Sequence, residues 1–161
     1  MKDVGITLKN IWQVTCLDKD GNVKWEEEKK NLITTVGLNH ILDTQFHAST
    51  QVTTWYIGLK GAGTPVAGDT MASHSSWSEI TDYSGDRKEW TEGAASSGSM
   101  TNSSSVDFSV TGTATIAGAF LNTASTGTAG TLYGVVDFSS SRSVISGDTL
   151  QVTVTVTAAS A

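Results

Sequence analysis

The chain has 161 residues, with 10 basic against 16 acidic side chains and a formal net charge of -6 at pH 7. That length suits one domain able to bury about 70% of its unfolded surface without metals or disulfides, and the acid excess repels phosphate backbones and argues against nucleic-acid binding. No apolar run reaches the roughly 20 residues of a membrane-spanning helix, the opening MKDVGITLKN is not a signal peptide, and Cys16 is the single cysteine, so synthesis in a cytoplasm with no membrane partner is expected.

Strands are predicted at residues 6–17 and 23–29, separated by Asp18-Lys19-Asp20-Gly21-Asn22, whose Asp-Gly and Gly-Asn steps tolerate the positive φ of a hairpin turn. The same five residues imitate the opening of a calcium loop, but the glycine and glutamate positions of an EF-hand hold Val23 and Lys29. A short helix follows, capped by Thr34 or Thr35, with Leu38, Ile41, Leu42 and Phe46 at helical spacing on one face. Further strands are predicted at 53–59, 106–111, 113–121, 131–138 and 150–157, and Asp69 or Thr70 is expected to cap one helical turn through Met71 to His74.

Between Ala94 and Thr131 the chain is so rich in Ser and Thr that composition alone would suggest a linker. Periodicity points the other way, since Val106, Phe108 and Val110 alternate with polar residues, as do Val152, Val154 and Val156 with threonines. The expected fold is therefore all-β with one short helix, an antiparallel β-sandwich or jelly-roll-like single domain over 1–161. Within it, 1–48 forms the N-terminal hairpin and helix, 53–92 a Trp-rich strand and loop, and 106–157 the C-terminal strands.

Catalytic patterns are missing. His40 and His47 are seven apart, not at the i, i+4 spacing of helical metal pairs, and His74, between Ser73 and Ser75, is expected to fix a turn by hydrogen bonding. No G-x-S-x-G surrounds any serine. Glu79, Asp82, Asp86, Glu89 and Glu92 are interleaved with Arg87 and Lys88 as in a solvated loop, and Gly61-Ala62-Gly63 falls short of a dinucleotide loop. No catalytic, cofactor or metal residue is assigned, and no enzymatic activity is expected.

The segment from Trp55 to Trp90 holds three of the five tryptophans and the only proline. Where the strand pattern lapses, Trp77, Tyr83, Arg87 and Trp90 are the expected protein-interface residues, because interface hot spots favour Trp, Tyr and Arg; Trp55, Tyr56 and Ile57, on a strand, suit the core better. In order, V-T-C-L-D-K-D-G-N-V-K-W, K-N-L-I-T-T-V-G-L-N-H-I-L, W-Y-I-G-L, G-D-T-M-A-S-H, R-K-E-W, V-D-F-S-V-T-G-T-A-T-I-A-G-A-F-L, G-T-L-Y-G-V-V-D-F-S and the closing R-S-V-I-S-G-D-T-L-Q-V-T-V-T-V-T run the length of the chain. Together they resemble a family of small virion structural proteins of tailed bacteriophages. That resemblance implies a capsid decoration or cement protein on the capsid exterior, made in the host bacterial cytoplasm. Its implied partners are the major capsid protein and further copies of the chain; a neck, tail or fibre component, including a host-glycan-binding module, is the alternative.

Overall fold

The computed structural model describes residues 5–160. In chain order the strands are β1 (Ile6–Leu17), β2 (Val23–Lys30), β3 (Leu32–Ile33), β4 (Tyr56–Lys60), β5 (Glu79–Ile80), β6 (Lys88–Glu89), β7 (Ser99–Thr101), β8 (Val106–Ser109), β9 (Ala114–Asn122), β10 (Leu132–Val144) and β11 (Thr149–Ser160), with one helix, α1 (Thr35–Phe46), between β3 and β4. They form two antiparallel sheets. The first runs β2-β1-β11-β7 with β8 also on β11, and the second runs β3-β10-β9-β4-β5 with β6 also on β4.

Alternation along the long strands sets which face is buried. On β1, Asn10, Trp12, Val14 and Cys16 turn inward, and on β11 Leu150, Val152 and Val154 do the same while threonines hold the outer face. The two strands pair along their whole length, from Ile6 opposite Ser160 to Leu17 opposite Thr149. A one-residue slip would turn both apolar rows to solvent, so the pattern itself fixes the register. From the second sheet Ile57, Leu59, Ile116, Ala119, Leu121 and Val136 meet these rows and complete the core. The fold is the expected antiparallel sandwich.

The first turn forms as expected: Gly21 has φ 83°, and the Asp18 carboxylate accepts from the backbone N–H groups of Asp20 and Asn22. Thr34 caps α1, its hydroxyl accepting from the Gly37 N–H at 3.0 Å. Two expectations are corrected. The stripe on α1 meets the core only through Ile41, for Leu38, Leu42 and Phe46 are 43%, 55% and 79% exposed. Gly37 is the reason: a Cβ there would lie 2.3 Å from the Tyr133 carbonyl oxygen, so the helix docks on β10 through this bare residue and Ile41 one turn on. Leu38 is then about 100° round the helix, with Leu42 and Phe46 above it.

The second correction concerns Met71 to His74, which form no helical turn. Thr70 and Ser73 exchange backbone hydrogen bonds of 3.0 and 3.1 Å, while the Asp69 carboxylate accepts from the Val66 N–H and from the Trp77 indole. The short strands β3, β5, β6 and β7 carry no alternation of their own and are made by their neighbours.

Phe108 lies fully inside the first sheet's inner face. Phe108→Ala is expected to cost about 3–5 kcal/mol of folding stability, whereas Leu42→Ala should stay within about 0.5 kcal/mol. Urea midpoints of the two variants against the parent measure both.

Candidate functional site

The Trp-rich segment is held by Arg87, whose side chain is 1% exposed. Its Nε and Nη2 donate to the two oxygens of Glu79 at 2.7 Å each, Nη1 donates to the Ala124 carbonyl at 2.8 Å, and Nη2 also reaches the Gly127 carbonyl at 2.6 Å. The guanidinium carbon stands 5.2 Å from the centre of the Phe120 ring. A planar fork of five N–H groups suits such a site, and lysine, a point charge on a flexible stem, does not. This guanidinium therefore fastens the β9–β10 loop to the segment running from β5 to β6, both of which pair with β4.

The three aromatics are equally enclosed. Trp77 donates from its indole to Asp69 at 2.9 Å and packs on Phe120 and, edge-on at 4.1 Å, on His74. His74 is thus a packing partner, and its Nε2 makes no hydrogen bond among the described residues. Tyr83 stands perpendicular to Phe108 at 4.8 Å, and burial, ahead of the nearby Glu79 carboxylate, raises its hydroxyl pKa. Trp90 donates to the Asn102 side-chain oxygen at 3.2 Å, and the same oxygen accepts from the Val154 N–H at 2.8 Å. Trp77, Tyr83, Arg87 and Trp90 are each no more than 5% exposed. The expectation that they present an interface is corrected: a loop this long satisfies its polar groups by turning its largest side chains into its own chain. Nor is the acidic set a purely solvated loop, since Glu79 is the partner of a buried arginine.

Sequence reasoning missed the polar groups that pin the structure internally. Lys60 is fully buried at the end of β4, with its Nζ 2.6 Å from Asp137 and 3.0 Å from the Gly61 carbonyl. Glu27 on β2 crosses to the other sheet, accepting from Arg142 at 2.9 Å and from the Ser139 hydroxyl at 3.2 Å. Asn10 and Tyr133 meet across the gap at 3.2 Å. Lys60 carries one legible signal, a charge closing an apolar strand; the others are ordinary surface letters in the sequence.

Two concavities among the described residues differ sharply in chemistry. The outer face of the first sheet forms a shallow concavity of about 440 Å³ lined by Gln13, Thr15, Glu26, Glu28, Ser105, Gln151 and Thr153 among others. Its groups are linked across strands, Gln13 to Glu28 at 3.0 Å and Gln151 to Asp107 at 3.4 Å. The second surface is apolar, a cleft of about 260 Å³ where the sheets part near α1, lined by Leu8, Ile41, Trp55, Trp90, Met100, Leu121, Tyr133 and Val156. Trp55 sits edge-on to both His40 and Tyr133. Among the described residues no three His, Cys, Asp or Glu side chains are grouped to hold a metal ion.

Removing the Arg87 fork leaves Glu79 and two carbonyls without their donors, so Arg87→Ala is expected to cost about 3–5 kcal/mol, and Arg87→Lys to recover only part of it; thermal unfolding followed by circular dichroism decides. Cys16, buried under both sheets, has its thiol pushed up from 9.0 to about 11, by burial first and the Asp148 carboxylate second. A thiol whose folded pKa is raised stabilises the fold fully below its unfolded value near 9 and loses that contribution as pH climbs toward about 11. Unfolding midpoints should therefore fall over that window in the parent and fall less in Cys16→Ser, and native protein at pH 8 should resist iodoacetamide until denatured.

Residues 32–159 match the family model described as podophage GP4 fiber I protein gp80. No curated protein matches the chain. The matched span runs from β3 and α1 through the Trp-rich segment and its Arg87 clamp to all but the last residue of β11, with the β1–β2 hairpin before it. The chain is a phage structural protein and belongs to the podophage GP4 fiber I protein gp80 family.

Proposed function

We propose that the protein is a non-enzymatic component of the tail or fibre apparatus of a virion, acting by contact and not by chemistry. The observation that carries this reading is the family match over 32–159, whose model describes a fibre protein. The polar outer face of the first sheet agrees with it. Hydroxyls, amides and carboxylates in register on a rigid sheet offer many directional hydrogen bonds to a hydroxyl-rich ligand or a polar protein neighbour and no paired nucleophile and base.

Capsid decoration has less support. The resemblance that implied it is matched here by a fibre-protein model, and the side chains expected to anchor a protein contact, Trp77, Tyr83, Arg87 and Trp90, are enclosed in the chain's own fold. Placement in the virion separates the two readings. Antibody labelling of purified virions under the electron microscope, with quantitative mass spectrometry, should find the protein at the tail at on the order of ten copies, the scale of a small symmetric ring. Label spread over the shell at hundreds of copies would restore the capsid reading.

A further inference from the structure

The first sheet has a strand edge left open. β2 pairs with β1 only from Ile11 opposite Lys30 to Leu17 opposite Val23, and at Asn31 the chain leaves for the other sheet. Ile6 to Lys9 therefore pair with β11 on one side and, among the described residues, with no strand on the other. Outer strands are usually guarded by charge, and β2, with Lys24, Glu26, Glu28, Lys29 and Lys30, is guarded in that way. The open edge Ile6-Thr7-Leu8-Lys9 has one charge, at its end.

A groove of about 480 Å³ runs beside this edge, with Ile6, Leu8, Leu32, Ile33 and Leu38 in its apolar wall. Asn31 also lines it, and neither polar atom of its side-chain amide has a hydrogen-bond partner among the described residues. Ile6 is 78% and Leu32 37% exposed, and Leu38 begins the bare stripe of α1 that continues through Leu42 to Phe46. Together these five side chains expose on the order of 500 Å² of apolar surface, near the upper end for a monomer and over half of the roughly 800 Å² each partner gives a standard interface.

We propose that a second copy of this chain closes the edge, Ile6 to Lys9 of two protomers pairing antiparallel about a two-fold axis so that the first sheet runs on from one protomer into the other. The axis restricts the register, since symmetry across an antiparallel pair places like opposite like. Centring it on Thr7 sets Ile6 of one protomer against Leu8 of the other on the inner face, apolar against apolar, and keeps the two Lys9 ammonium groups apart. Centring on Leu8 would set Ile6 against the polar Asn10. The open N–H and C=O groups then gain partners, which is the means by which an extended segment adds to a sheet edge, and the α1 stripe of each copy is drawn into the contact.

Sedimentation velocity of the purified chain over a micromolar series tests association apart from where the protein sits in the virion, so either proposal can fail alone. A dimer is expected. The double variant Ile6→Lys with Leu38→Glu, at exposed positions, should weaken dimerisation at least tenfold while leaving the circular dichroism spectrum unchanged. Thr7→Cys should give a disulfide-linked dimer under mild oxidation, since directly opposed Cβ atoms lie about 4.5–5.5 Å apart, and Cys16 is buried and supplies no background. A monomer throughout the series, a trimer, a dimer untouched by the double variant, or a dimer that Thr7→Cys fails to cross-link would each overturn the proposal.

Discussion

One guanidinium holds the irregular third of the molecule in place. Arg87 gathers Glu79, Ala124 and Gly127, far apart in the chain, onto a single plane above Phe120. Without that anchor the segment between β4 and β7 would be kept on the second sheet by two-residue strands and the packing of Trp77 on Phe120. With it, Trp77 and Tyr83 have fixed neighbours, and Trp90 is drawn toward Asn102. A buried cation is costly unless its donors are used, and here they are spent on the loops that most need order.

The same economy recurs where the two sheets face each other. Glu27 with Arg142 at one side and Asn10 with Tyr133 at the other join the layers by directional bonds, whereas the apolar rows between them set only the spacing. Asn102 does similar work at the margin, since its amide group bonds Trp90, Val152 and Val154 at once. A sheet pair with so many threonines and so few large aliphatics gains its definite alignment from these pins. They leave the outer face to carry polar groups that bond only to one another across strands.

How much of this was legible in the sequence depended on the range of the interactions. The β1–β2 turn, the Thr34 cap and the long alternating strands follow from residues within a few positions of each other, and the structure keeps them. The fate of Trp77, Tyr83, Arg87 and Trp90 did not, because their partners Asp69, Phe108, Ala124 and Asn102 include residues whose own letters carry no periodic signal. Aromatics in a loop look the same in sequence whether they turn in or out. The α1 stripe failed for the opposite reason: its spacing was correct for an amphipathic helix, but Gly37, the smallest residue present, decided which side could approach β10. A stripe chosen by hydrophobicity lost to one chosen by distance of closest approach.

The pairing of β1 with β11 along twelve residues each has a consequence for how the chain acquires its shape. β1 completes its sheet only with β11, which lies far along the chain after every other described strand. Until Thr149–Ser160 is made, β1 of the β1–β2 hairpin lacks its second neighbour in the sheet, so the first sheet closes only after the strands of the facing sheet exist. Contacts of that sequence separation place the molecule among slow-folding topologies. Rapid production of many copies in an infected cell would set that delay against the risk of two nascent hairpins finding each other first.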